Sequence, residues 1–254
     1  MNSAVANTWL RPAPDAPPDR QVLFGDQFEV THTQGEFSFG KALKDDYAGC
    51  VQTKDLGPAT EPTHWVSVRT TWAFASPDIK SAPLVDLHLT SPLEAISDAK
   101  DGWIEIRLSD RPAFVPMSHL RASNEYMKHP EKAARLFLGT PYLWAGNSGF
   151  GLDCSGLVQA AIRACGVYCP ADSHQQEAMK GTKLETDAPL QAGDLLFWKR
   201  HVAMATGPIS MIHANAHHMM VVEEPTDQAI ARIAATETGS VTTRLRPDLT
   251  IGKG

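Results

Sequence analysis

The stretch Ser148–Val167, "SGFGLDCSGLVQAAIRACGV", changes character at Cys154. Before it lies a loose segment with glycines at 149 and 151. After it, apolar residues recur at Leu157, Val158, Ala161, Ile162 and Cys165. Steps of three and four predict a helix, and Gly166 is placed to end it. A thiol in the first turn of a helix faces unpaired backbone N–H groups and the positive end of the helix dipole, which favour an anion. Asp153 works against this, because a second negative charge beside a thiolate is unfavourable. That carboxylate needs a cationic neighbour or a task of its own. The segment alone fits a small side chain packed at a helix start as well as it fits a reactive thiolate.

The whole chain narrows the choice. Its 254 residues exceed one typical domain of about 100–200 residues, so two or three units are expected. The apolar fraction of 43% and charged fraction of 20% describe an ordinary folded protein rather than a disordered one. A net charge of −6 offers no basic footprint for nucleic acid or anionic membrane, and no apolar run approaches the roughly 20 residues of a membrane span. Residues 1–20, "MNSAVANTWLRPAPDAPPDR", lack a basic segment followed by an apolar one and read as a Pro-rich tail, not a secretory signal. Cys50, Cys154, Cys165 and Cys169 match neither paired zinc knuckles nor a dense disulfide framework. Cys165 and Cys169 read as reduced, buried thiols. A reducing, cytoplasmic location is the expectation.

From Gln21 to about Leu120 the pattern is β. "QVLFGDQFEVTH", "GEFSFGKAL" and "YAGCVQTKDL" are short strands broken by Gly and charged turns. "GCVQTKDL" (49–56) and "AFVPMSHL" (113–120) share a valine and a terminal leucine at a constant offset, 115 − 51 = 64 and 120 − 56 = 64. Repetition on this scale suggests two small barrels in tandem, with "GPATEPT" between them as linker. From Asn124 the composition changes. "NEYMKHPEKAARLFLGT" is helical in period, the Cys154 helix follows, and a short helix is expected in "DSHQQEAMKG". "GDLLFWK", "HVAMATG", "MIHANA" and "MMVVEE" then read as strands, giving an α+β layout.

A thiolate nucleophile needs a base, and the base needs an orienting partner. Two of the ten histidines are suitably placed: His201 opens "HVAMATG" and His213 lies in "MIHANA", twelve residues on (213 − 201 = 12). On adjacent antiparallel strands their imidazoles can meet on one face. His213 and His217 have the spacing of a zinc pair on a helix, but strand-like flanks surround them and no Glu follows the first His, so no metal is expected.

Taken together, "PYLWAGNSGFGLDCSGLVQ" (141–159), "LQAGDLLFWKRHVAM" (190–204) and "MIHANAHH" (211–218) resemble the NlpC/P60 cysteine peptidases, a papain-like family of bacterial cell walls. The two preceding β units resemble bacterial SH3-like domains. That arrangement is similar to the γ-D-glutamyl-L-diamino acid endopeptidases, which cut short murein peptides. The resemblance implies a papain-like domain over residues 123–254. It implies SH3-like barrels over 21–60 and 63–122.

The resemblance makes Cys154 the nucleophile, His201 the general base and His213 the member that orients it. Tyr142 would line the oxyanion position, and Asp153 and Ser155 would receive the free N-terminal L-alanine of the substrate. Ser173 would be a further substrate contact, Trp144 a pocket wall, and Tyr47 of the first barrel a residue that closes off the site. Two departures stand out: Arg200 replaces the glycine usual before the histidine, and Ala171-Asp172-Ser173 replaces the usual Arg-Asp-Ser. The implied reaction is hydrolysis of the γ-D-glutamyl–diamino acid bond in recycled murein peptides, without a cofactor. The alternative is a cell-wall amidase or acyltransferase that uses the same thiol chemistry on another substrate, or a wall-binding protein with a vestigial site. The preferred diamino acid and the oligomeric state stay open.

Overall fold

The computed structural model describes residues 3–108 and 111–250. The chain divides into two units, 1–126 with 147–149, and 127–146 with 150–254.

Among its described residues the first unit consists of strands joined by loops and two 3₁₀ turns, without an α-helix. Strand β1 (Val5–Thr8) pairs antiparallel with β2 (Arg20–Leu23), and β3 (Phe28–Gln34), β4 (Phe37–Ala42) and β5 (Ala48–Gln52) form a meander. Ala6, Val22, Ala42 and Val51 close a small apolar core, with Phe28 and Leu56 packed on it. Residues 1–20 are therefore not a tail, although the first two lie outside the described residues. Val5–Thr8 completes the first core, and Trp9 exchanges backbone hydrogen bonds with Cys50 at 3.0 and 2.7 Å. The Pro-rich loop is tied back by the Trp9 indole N–H, which donates to the Ala16 carbonyl.

A second core follows in the same unit. Strands β6 (His64–Val66), β9 (Pro92–Leu93) and β12 (Leu120–Ala122) make one sheet in the order β12–β6–β9. Strands β7 (Thr70–Phe74), β8 (Pro83–His88), β10 (Trp103–Leu108) and β11 (Arg111–Pro116) make another, in the order β10–β11–β7–β8. Val66, Leu87, Leu93, Ile106, Val115 and Leu120 are among the residues that fill the space they enclose. The offset of 64 in the sequence has a structural counterpart. β5 runs into a 3₁₀ turn at Thr53–Asp55 before Leu56, and β11 runs into one at Met117–His119 before Leu120.

The second unit opens with helix α1 (Pro130–Arg135); after the two-residue strand β13 (Asn147–Ser148), which belongs to the first unit, it continues with strand β14 (Gly151–Leu152) and helices α2 (Cys154–Arg163) and α3 (Ser173–Gln176). The helical period of 124–140 yields only the six residues of α1. Proline disfavours helix in the residue before it, so His129 is extended and Pro130 takes the first helical position. "DSHQQEAMKG" likewise shortens to the one turn of α3.

Strands β15 (Gly181–Leu184), β16 (Leu195–Trp198), β17 (His201–Ala205), β18 (Ser210–Asn215), β19 (Met220–Pro225) and β20 (Thr243–Pro247) form an antiparallel sheet in the order β15–β20–β16–β17–β18–β19. Helix α2 packs on β17 and β18, which brings its first residue to the head of β17. Helix α4 (Thr226–Ala234), which no feature of the sequence analysis anticipated, packs on β19. Its Ala229 joins Leu196, Trp198, Ala203 and Met211 in a buried cluster. Among the described residues no helix is long and apolar enough to cross a membrane.

Candidate active site

Cys154 is the first residue of α2, and Asp153 is its N-cap, in extended backbone. One oxygen of the Asp153 carboxylate accepts the Gly156 N–H at 2.7 Å and the Ser155 hydroxyl at 3.0 Å. Such a cap is worth about 0.5–2 kcal/mol and fixes where the helix begins. Leu157, Val158, Ala161 and Ile162 are fully buried, so the apolar face that anchors α2 also fixes the cysteine at its end. The Cys154 Sγ lies 4.0 Å from the carbonyl oxygen of Arg200, the residue before His201.

Arg200 closes the two-residue turn between β16 and β17, where Trp198 pairs with His201. Its φ of 64° is in the left-handed region, which costs a residue with a Cβ about 1–2 kcal/mol. That conformation explains why glycine suits this position, and it aims the Arg200 carbonyl towards the thiol.

His201 and His213 do meet. The His201 Nε2 is 2.8 Å from the His213 Nδ1. Backbone pairing between β17 and β18 covers only Met204–Ile212 and Ala205–Met211, and beyond it the two imidazoles bridge the strands. The Trp198 ring packs 5.5 Å from that of His201, centroid to centroid. Burial, reinforced by the neighbouring His213 and Arg232, pushes His201 down to about 3. Burial thus favours the neutral ring. Burial also lowers His213, against the opposing pull of Glu224.

Two residues that sequence reasoning missed complete the cluster. His213 Nε2 lies 2.7 Å from the Glu224 Oε1, and the Arg232 guanidinium of α4 holds the same carboxylate through both of its oxygens. Burial alone would raise the Glu224 carboxyl, but hydrogen bonds from His213 and Arg232 outweigh it and hold the group well below the usual carboxylate range. The only trace in the sequence is the pair of glutamates ending "MMVVEE", eleven residues after His213 (224 − 213 = 11).

The remaining expected residues distribute as follows. Half-buried Tyr142 forms a parallel bridge with Leu152, two residues before the cysteine. Ser155 is buried in the first turn of α2. Ser173 opens α3, whose Gln176 amide donates to the Ser155 carbonyl at 3.0 Å and so ties α3 to the start of α2. Trp144 is 65% exposed. Tyr47 lies in the first unit, in the turn before β5, with its N–H donating to the Asp45 carboxylate. His217 and His218 sit in the turn between β18 and β19, not on a helix. Among the described residues, no group of three or more His, Cys, Asp or Glu is placed to hold a metal ion.

Burial, with the charge of Glu131, pushes Cys165 up to about 12, and burial also raises Cys50, whose Sγ–H donates to the Trp9 carbonyl.

The profile of the NlpC/P60 family matches residues 139–236, and that of the bacterial dipeptidyl-peptidase SH3 domain matches residues 10–56. The chain is 30% identical over 221 residues to a γ-D-glutamyl-L-lysine dipeptidyl-peptidase of Bacillus subtilis, covering 76% of this chain and 71% of that protein. A protein of the same name from Bacillus cereus is 41% identical over 88 residues, 32% of this chain and 26% of that one. The crystal structure of an NlpC/P60 family protein from Bacillus cereus shares the fold, with a TM-score of 0.81, 21% identity, and coverage of 97% of this chain and 98% of that one. The family match spans the cysteine, both histidines and Glu224. An SH3-like domain precedes that region, and the chain belongs to the NlpC/P60 family and is a cysteine peptidase.

Proposed function

We propose that this peptidase hydrolyses the amide between γ-D-glutamate and a diamino acid in murein peptides bearing a free N-terminal L-alanine, in the recycling of wall fragments. The observation that carries the reading is the hydrogen-bonded His201–His213 pair at the strand head beside Cys154. The names of the two Bacillus relatives support the substrate class. The Cys154 Sγ attacks the γ-glutamyl carbonyl as its proton passes to His201. The C–N bond breaks, the leaving amine takes that proton, and water then hydrolyses the thioester to free the thiol. His213 orients His201. The Cys154 N–H and Tyr142 stabilise the oxyanion, where one donor is worth about 2.7–4 kcal/mol. Asp153 and Ser155 receive the substrate's ammonium, Ser173 makes a further contact and Trp144 forms a wall. No cofactor is needed.

We further read residues 63–122, with their own apolar core and the repeated strand–3₁₀ turn, as a second SH3-like barrel. The peptidase domain then runs from 123 to 254.

Mass spectrometry of products from L-Ala-γ-D-Glu-L-Lys, the corresponding diaminopimelate peptide and intact sacculi tests the assignment. Release of the dipeptide L-Ala-γ-D-Glu from the soluble peptides is the expected result. Cleavage of a different bond, or binding to sacculi without turnover of any peptide, would overturn it.

A further inference from the structure

Beyond the thiol and the two imidazoles, the hydrogen bonds continue to a carboxylate and a guanidinium, and that continuation fixes proton positions. We propose that Glu224, held by Arg232, is a positioning residue that sets the tautomers of both histidines and thereby leaves the His201 Nδ1 free to accept the Cys154 proton.

The Glu224 carboxylate is acceptor-only, and both of its oxygens are held by Arg232, which is always a cation. The 2.7 Å contact at Oε1 therefore requires His213 to carry its proton on Nε2. In a neutral ring the His213 Nδ1 is then an acceptor, so across the 2.8 Å contact His201 must donate from its own Nε2. One ring nitrogen of His201 is left with a lone pair, the Nδ1. The opposite arrangement has His213 protonated on Nδ1 and His201 accepting at Nε2. It places the His201 proton on Nδ1 and leaves no base for the thiol. A single carboxylate thus decides, two rings away, between a competent and an incompetent site.

The neighbouring glutamate shows that a simple strand–helix tie is a different thing. Glu223 also forms a two-pronged ion pair, with Arg135 of α1 at 2.8 and 2.7 Å, whereas the hydrogen bonds of His213 run to His201 and Glu224. Successive strand residues point to opposite faces, so Glu223 serves as the matched control.

The proposal rests on Cys154 and His201 being the nucleophile and base, so the first readout requires no substrate. Long-range ¹H–¹⁵N spectra of the full chain report which nitrogen of each imidazole is protonated. In the wild type both histidines are expected as the Nε2–H tautomer, and Glu224→Gln should convert His213 partly or wholly to Nδ1–H. With a cleavable peptide, Glu224→Gln should lower kcat about 10²-fold with KM within about twofold, while Glu223→Gln leaves kcat unchanged. An Nδ1–H form of His213 in the wild type would overturn the proposal, and that experiment stands even if the Glu224 variant fails to fold. So would unchanged tautomers and kcat in Glu224→Gln. If the wild type turns over no murein peptide, the substrate assignment fails while the wild-type spectra still decide the proton arrangement.

Discussion

Exchange of His201 for alanine is expected to lower kcat on a γ-glutamyl peptide by about 10³–10⁴-fold, with the fold intact. His201 opens β17, and the Cys154 Sγ lies 4.0 Å from the carbonyl oxygen of the residue before it. His213→Ala should retain more activity than His201→Ala, because His213 orients the base without transferring the substrate's proton. His217→Ala and His218→Ala should be mild, since both residues belong to the turn after β18. Steady-state kinetics with circular dichroism on the four variants checks the order. Equal losses for His201 and His217 would remove the assigned base.

Loss of the charge on Asp153 is expected to be nearly as damaging, but only for substrates that present an ammonium. Asp153→Asn keeps the N-cap, because Asn caps about as well as Asp, so melting should shift little. What it removes is the negative charge proposed to pair with the α-ammonium of L-alanine. Truncating one side of a buried charge pair typically costs about 2–5 kcal/mol, which corresponds to a fall in kcat/KM of roughly 30-fold to 4,000-fold. N-acetylation of the L-alanine should impose a similar loss on the wild type and little further loss on Asp153→Asn. The 2.7 Å bond to Gly156 shows that capping is a task this carboxylate performs in any case. Unchanged turnover of both substrates by Asp153→Asn would leave capping as its whole role.

The parts of this molecule that were legible in the sequence are those whose cause is local. Helix α2 combines a capping Asp, a periodic apolar face and Gly166 at φ 74°, all within fourteen residues of chain (153 to 166), and it forms where those signals place it. The strands carrying His201 and His213 are apolar runs punctuated by turns, and they too form where expected. Where a tertiary contact decides, local signals mislead. Val5–Thr8 is too short and too polar to announce a strand, and only pairing with β2 makes it one. The period over 124–140 is helical, yet Pro130 forbids helix before it. Glu224 and Arg232 were invisible as site residues because the expected strand β19 meets α4, a helix not foreseen from the sequence, to bring them together. Arg200 was legible only as a departure from glycine. Its left-handed φ supplies the reason for glycine there and shows that arginine accepts the same geometry at some cost.

The central claim is that one thiol, Cys154, carries the reaction. Its most direct test is limited alkylation of the native protein with iodoacetamide, with labelled peptides mapped by mass spectrometry as activity is followed. Cys165 is pushed up to about 12 by burial and Glu131, Cys50 is raised by burial, and Cys169 is fully buried, so all three should react slowly. Cys154 should take the label first, and activity should fall in proportion to its occupancy. Full activity with Cys154 alkylated, or a loss that tracks one of the other three cysteines, would contradict the account.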